Sequence, residues 1–262
     1  MADSQPATAS CPSPAMDVPE LSGILNLYKP VGKSSAFYVY LLRGILGVRK
    51  VGHAGSLDPF ADGVLLACIG KGTKLVERLM SLPKRYRTTL RLGVTNATFD
   101  TERPFEPVPD AKPVDRSAIE AVLAKMVGEV EQVPPSFSAM RIGGVSAYKL
   151  AKHGKPTPLE PRTVRIDEIK VLNYAWPLLT LEIACGRGTY IRAIARDFGA
   201  AFGYGACCET LTRLAVGPFR IEDAVRMEGL SQTELRARVH TITDVTSGLG
   251  NVSGIKSASI SD

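Results

Sequence analysis

The sequence is poor in the residues that build metal sites and disulfide frameworks. It has three histidines, His53, His153 and His240, which lie far apart, and five cysteines, none in a Cys-x-x-Cys pair. Scattered histidines argue against zinc. An odd cysteine count without paired spacing argues against a disulfide scaffold and for a reducing compartment. Cys68 and Cys185 fall in apolar strand-like runs and read as small buried hydrophobes. No apolar run reaches the ~18 residues of a spanning helix, and the N-terminus lacks a basic-then-apolar leader pattern. These absences predict a cytosolic protein with no membrane partner. Acids are also scarce in one segment. From Lys29 to Arg91 the chain carries twelve Lys/Arg and three Asp/Glu, a charge of +9 in a chain of +6, so the remainder sums to −3. A basic run is a solvated face or a polyanion surface, and composition leaves both open.

At 262 residues with 45% hydrophobic content, the chain can build one large domain or two small ones. Residues 1–20 are rich in proline, alanine and serine without hydrophobic period, and read as a disordered tail. From Ser247 onward the chain reads as a flexible C-terminal tail, which leaves 21–246 as the globular domain. Leu25 to Tyr28 reads as a strand ending at Pro30. Ser34 or Ser35 can cap a helix that Gly47 ends after Leu46. Val64 to Ile69 is a buried strand, and Thr73 is expected to cap a helix over Lys74–Leu82. Tyr86, Thr88, Leu90 and Leu92 alternate along a strand from Arg85 to Leu92. Ser117 to Val127 has the apolar spacing of an amphipathic helix. A short helix over Ser146–His153 follows the Gly143-Gly144 turn. Val164–Tyr174 and Leu178–Cys185 read as an antiparallel pair, and Tyr190 to Phe202 as a helix. Strands interleaved irregularly with helices predict an α+β fold.

Gly52-His53-Ala54-Gly55-Ser56-Leu57-Asp58-Pro59-Phe60-Ala61-Asp62-Gly63 is the most informative stretch. Three glycines permit backbone conformations that side chains forbid, and Pro59 fixes the backbone after the carboxylate. Asp58 is thereby presented at a set angle at the mouth of a strand. Alone, the pattern fits a reactive carboxylate or a strand-entry turn with a solvated aspartate.

Five blocks in order resemble the TruB-type tRNA pseudouridine-55 synthases. They are Leu25 to Ser35 (with Lys29-Pro30-Val31-Gly32), Gly52 to Gly63, Lys84-Arg85-Tyr86, Gly188-Thr189-Tyr190-Ile191-Arg192 and, more weakly, Leu211 to Gly217. Together they span about residues 22–226. The resemblance implies the pseudouridine synthase fold, a large mixed and mainly antiparallel sheet flanked by helices with a central active-site cleft. It implies isomerisation of the uridine at position 55 in the T-loop of tRNA, with no cofactor and no metal. Within the same class, other RNA stem-loops in ribosomal or messenger RNA are alternative substrates. A non-catalytic tRNA-folding chaperone is the alternative outside it. The chain has too few residues after Arg226 for the C-terminal RNA-binding module of longer relatives. From this we expect no guide RNA, and a monomer bound to the T-arm stem-loop.

Asp58 corresponds to the family's nucleophile. Whether such an aspartate attacks base or sugar, or assists elimination, is open at the level of sequence. A carboxylate covered by a nucleotide favours its neutral form unless a cation compensates. The resemblance puts Arg192 in that role, where a guanidinium can give a carboxylate two hydrogen bonds. Read alone, Arg192 is a helix-surface arginine. Tyr86 resembles the tyrosine that stacks on the extruded base and serves as a candidate for proton transfer; on its own it reads as core. Tyr190 resembles a second substrate-contacting tyrosine, and Leu211 an apolar contact to the base. His53 resembles a residue that fills the space left by splayed loop bases. Lys29 reads as a support near the aspartate turn or an ordinary loop lysine, and it joins His53, Tyr86, Tyr190 and Leu211 in the expected substrate-binding set. The segment 132–154, with Arg141, Lys149, Lys152 and its glycines, resembles a mobile thumb that closes on RNA. Three positions depart from the family pattern: Ala54 and Asp62, each where threonine is usual, and Thr212, where a basic residue is frequent. Asp62 places a second carboxylate close to Asp58 in sequence.

Overall fold

The computed structural model describes residues 21–138, 140–154 and 159–249. The predicted tail 1–20 lies outside the described residues, as does the predicted C-terminal tail from residue 250 onward.

Strand β1 (Gly23–Lys29) opens the fold and leads into helix α1 (Ser35–Leu46). Ser34 caps α1 by accepting from the Phe37 N–H, and Gly47, at φ 66°, closes it in the left-handed region. Strands β2 (Val51–His53) and β3 (Asp62–Ile69) flank the aspartate turn. A 3-10 turn (Gly70–Leu75) and helix α2 (Val76–Ser81) follow. Thr73 does not cap this helix as expected. Its hydroxyl donates to Gly70 O inside the 3-10 turn (2.8 Å), and a Cβ at Gly72 would come within 2.2 Å of Gly23 O, so tertiary packing fixes the turn.

Strand β4 (Lys84–Leu92) alternates buried and exposed residues as predicted. A two-stranded ribbon, β5 (Val94–Thr95) with β6 (Glu106–Pro107), leads to helix α3 (Arg116–Ala124), shorter than the 117–127 expected. Strand β7 (Gly128–Gln132) precedes the ribbon β8 (Arg141–Ile142) and β9 (Val145–Ser146) and helix α4 (Ala147–Lys152). The long pair β10 (Arg162–Ala175) and β11 (Leu178–Cys185) is the expected hairpin. Helix α5 (Ile191–Ala201), strands β12 (Ala206–Val216) and β13 (Phe219–Arg220), and helices α6 (Gln232–Ala237) and α7 (Ile242–Leu249) complete the described chain. The predicted C-terminal tail therefore begins too early. Residues 247–249 belong to α7, whose Val245 and Leu249 are buried against β1 and β3.

Among the described residues, nine strands form one sheet in the order β1-β3-β12-β4-β11-β10-β7, with β2 on β3 and β13 on β12. Every pairing is antiparallel except β3 with β12. The fold is thus the expected α+β sheet flanked by helices. One core gathers β4, β11, β12, α3 and α5, with Leu57, Tyr86 and Leu211 at its edge. A second packs α1 and α6 on β1 and β3, and a third packs α2 and α7 against their other residues. A cleft lies over β4 and β12, walled by the aspartate turn on one side and by the stretch 186–191 on the other.

Candidate active site

The cleft holds about 340 Å³, close to the lower end of ligand pockets and fit for one nucleotide rather than a duplex. Asp58, Tyr86, Tyr190, Leu211, Lys84 and Arg213 are among the residues that line it. Sequence blocks separated by more than a hundred residues therefore meet in one place.

The Asp58 turn is fastened from below. Ser35 Oγ accepts the Leu57 N–H at 2.8 Å and donates to Leu57 O at 3.1 Å, which locks α1 to the turn. The Gly32 N–H donates to Pro59 O, and the Ala61 N–H to Asp58 O. Lys29 is fully buried, and its ammonium donates to Pro30 O at 2.8 Å. Burial pulls its pKa down to about 8 against the attraction of Asp62 and Asp58. Lys29 supports the turn and does not line the cleft.

Arg213 is a residue whose role the sequence reading missed. It is 2% exposed, and its guanidinium donates to Val64 O (2.7 Å), Ser56 O (3.2 Å) and Gly55 O (3.1 Å). No carboxylate pairs with it among the described residues. Gly63, at φ 105°, explains the close approach: a Cβ there would lie 2.3 Å from Arg213 O. Arg213 faces Tyr86 across β12 and β4. Burial raises the Tyr86 pKa, and the neighbouring Arg213 opposes that rise.

Arg192 meets Asp58. Its Nε donates to Asp58 Oδ2 at 2.8 Å; the arginine side chain is 3% exposed and the aspartate 33%. A guanidinium can give a carboxylate two hydrogen bonds; here Asp58 receives one. The rest of the fork is used elsewhere: Nη1 donates to Thr98 O (3.0 Å) and lies 3.4 Å from Asp100 Oδ2, while Nη2 donates to Phe137 O (2.8 Å). Asp100 is fully buried, accepts the Glu102 N–H on Oδ1, and was not anticipated. Burial raises the pKa of both Asp100 and Glu102. Burial opposes the Arg192 charge, but Asp58 and Asp100 outweigh it and its pKa is raised.

Asp62 is engaged away from this pair, since Tyr28 OH donates to its Oδ2 at 2.6 Å and the Arg226 guanidinium stacks over the Tyr28 ring. Tyr190 caps α5 at the cleft wall, and the Arg162 guanidinium lies 4.9 Å from its ring centroid. Leu211 is buried at the cleft edge. His53 ends β2, half-buried and outside the cleft lining; burial and Arg213 lower its pKa. Lys84 lines the cleft and donates to Met80 O, and burial brings its pKa to about 8. The described residues hold no cluster of three His, Cys, Asp or Glu that could hold a metal, and no helix long and apolar enough to cross a membrane. A half-buried carboxylate held by a buried guanidinium, an aromatic face and an apolar contact meet at one cleft and can hold a flat base against the carboxylate.

Comparison with known proteins points one way. The profile of the TruB family pseudouridylate synthase N-terminal domain matches residues 43–191. A tRNA pseudouridine synthase B of Burkholderia mallei is 39% identical over 235 residues, which cover 88% of this chain and 75% of that protein. Its counterpart in Phocaeicola vulgatus is 41% identical over 189 residues (71% and 80%), and that of Syntrophus aciditrophicus 40% over 240 residues (90% and 76%). Among solved structures, a Cbf5-Nop10-Gar1 complex is similar with TM-score 0.66 and 25% identity, and an H/ACA RNP bound to a substrate RNA with TM-score 0.59 and 27% identity. The chain spans 62% and 52% of those two longer chains.

Proposed function

The chain belongs to the TruB family of pseudouridylate synthases, and from that premise we propose that it converts the uridine at position 55 in the T-loop of tRNA to pseudouridine. The observation that carries this reading is the Asp58–Arg192 contact at 2.8 Å, made by an aspartate that lines the same cleft as Tyr86, Tyr190 and Leu211. The reaction breaks the N1–C1′ bond and forms a C5–C1′ bond. The C5 proton is lost to solvent and N1 regains one, so the atoms balance without an added reactant.

One uridine leaves its stack and enters the cleft, at a cost of a few kcal/mol that stacking on an aromatic face offsets. Tyr86 supplies that face, with Leu211 as the apolar contact. Asp58 acts as nucleophile in its ionised form. Arg192 keeps it ionised when the nucleotide covers it. Arg187 at the cleft rim suits a flanking phosphate. The segment 132–154 is the thumb that closes on the stem-loop, and His53 contacts the RNA beside the cleft. Unguided tRNA is favoured over a guided RNA because identity to the tRNA-named relatives is 39–41%, against 25–27% for the H/ACA structures. The protein works as a monomer in a reducing, cytosolic setting. One chain supplies all these lining groups, and the four described cysteines are free and buried.

Tritium release from C5-labelled uridine in an unguided tRNA transcript, followed by mapping of the product, tests the reading. Release with pseudouridine at position 55 is expected. Absence of release, or release only from other stem-loops, overturns it.

A further inference from the structure

We propose that Gln132 and Arg162 are positioning residues that hold Tyr190 and, through it, Arg192 in the reacting arrangement. This inference rests on the function proposed above. The two residues are direct cross-strand partners, Arg162 on β10 and Gln132 on β7, at the neck of the 132–154 segment. Both reach across to the same stretch, Gly188 to Arg192.

Gln132 is buried at the end of β7. Its side-chain oxygen accepts the Tyr190 N–H at 2.8 Å, and its amide donates to Tyr190 O at 3.2 Å. Tyr190 is the cap residue of α5 and makes no capping bond with its own side chain. One glutamine thus fixes both backbone groups of the residue from which α5 starts. Arg192 lies in the first turn of that helix, so its direction follows from how Tyr190 is held. Arg162 completes the grip. It donates to Gly188 O and stacks over the Tyr190 ring. Gly188, at φ 86°, allows the approach, since a Cβ there would stand 3.3 Å from Arg162 Nη2.

A third contact comes from the same segment. Arg192 Nη2 donates to Phe137 O, five residues beyond Gln132. The neck of the 132–154 segment therefore holds the cleft-lining Tyr190 and the partner of Asp58 together. A displacement of about 1 Å at a reacting group can cost ~10²-fold in rate.

The test compares the full-length protein with Gln132→Ala, Gln132→Glu, Arg162→Met and the double variant Gln132→Ala/Arg162→Met, on C5-tritiated tRNA transcript. Single-turnover rate, tRNA affinity, melting temperature and the pH dependence of the rate are read together. Gln132→Ala is expected to lower the single-turnover rate about 10–100-fold with affinity within about 3-fold. Its rate should also climb with pH where the native enzyme is level, because a displaced Arg192 compensates Asp58 less well. Gln132→Glu, which keeps the acceptor for the Tyr190 N–H, should fall between native and alanine. The double variant should lose less than the product of the single losses, as expected of two groups acting on one residue. A native rate in folded Gln132→Ala overturns the inference, and so does a loss that merely follows weakened tRNA binding or a lowered melting temperature. Should Gln132→Ala fail to fold, Gln132→Glu and Arg162→Met decide by the same criteria. An inactive native protein overturns the function proposed above instead, which keeps the two failures apart.

Discussion

The two walls of the cleft are held in opposite ways. The wall that carries Asp58 is fastened mainly by groups bound to backbone carbonyls: Ser35 to Leu57, Lys29 to Pro30, and Arg213 to Gly55, Ser56 and Val64. All three side chains are buried. The wall that carries Tyr190 and Arg192 is fastened by a segment that leaves the sheet, through Gln132, Phe137 and Arg162. Carbonyl oxygens keep their partial charge at any pH, so the first wall depends on three buried side chains, Ser35, Lys29 and Arg213, staying in place. The second wall depends on where an excursion of the chain lies. One wall is a fixed template, and the other has the connections of an adjustable jaw.

The comparison is broken most sharply at the carboxylate. Asp58→Asn keeps the template's shape and removes the nucleophile. Turnover should drop by at least about 10³-fold while tRNA affinity stays within a few-fold. Near-native turnover would remove Asp58 from the chemistry.

Next comes the jaw's charged member. Arg192→Met should slow single turnover by about 10²-fold, and its rate should keep rising with pH over the range where the native rate is flat. The sign follows from the lost cation, which leaves the covered carboxylate in its neutral form to higher pH. Arg192→Lys keeps charge but not the fork shared with Thr98, Phe137 and Asp100, and should lie between. Superimposable pH profiles for native and Met proteins would reassign Arg192 to RNA phosphate contact or packing.

A smaller effect is expected where the template meets α1. Ser35→Ala leaves the buried Leu57 N–H and C=O unpaired, at a cost of about 1–3 kcal/mol in denaturant unfolding. The rate should suffer less than in Arg192→Met. A rate loss as deep as that of Arg192→Met would mean that the template also adjusts during reaction.

The smallest is a pH effect on stability. Burial holds the Lys29 pKa in the folded protein down to about 8 against an ordinary 10.5. Between about 8 and the ordinary thiol value of 9.0, above which the four buried cysteines act in the opposite sense, the unfolded chain binds more protons, so native stability should rise with pH across that window. Lys84, also lowered to about 8, contributes in the same direction. Lys29→Met should flatten part of the rise, as measured by unfolding at several pH values through the window. Parallel curves for native and variant proteins would show that Lys29 is not a buried cation under the turn.

The template was largely legible in the sequence, and the jaw was not. Ser34, Gly47, the Asp58 turn and the alternation of β4 depend on neighbours in sequence, so local chemistry identifies them. Arg213 could have been found only from its block. In Glu209-Thr210-Leu211-Thr212-Arg213 a cation in an alternating strand reads as solvent-facing, yet β12 is central and the acceptor Val64 O lies 149 positions away. Gln132 looked like the start of a surface excursion because its partner is Tyr190, 58 residues on. Asp100 sat in a polar loop; its one local signal is the run Asn96, Thr98 and Asp100, in which the Asn96 and Asp100 side chains bind the loop's own backbone and the Thr98 hydroxyl donates to Asn96 Oδ1. Arg192 was placed by resemblance, but not the sharing of its fork, which depends on carbonyls that no sequence pattern marks.

The position of β12 bears on how the enzyme comes into being on the ribosome. The strand lies between β3 and β4, yet it is made more than a hundred residues after both. Until Ala206–Val216 emerge, the nascent chain carries two partial sheets, each with an open edge facing the gap that β12 will fill. Such distant pairing is slow to find, and exposed edges invite wrong partners in the meantime. Insertion of this one strand closes the gap, delivers Arg213 to the aspartate turn and puts Leu211 at the cleft edge. Closure of the sheet and completion of the cleft thus arrive in a single late step, and an interrupted chain carries its aspartate without the cleft that makes it reactive.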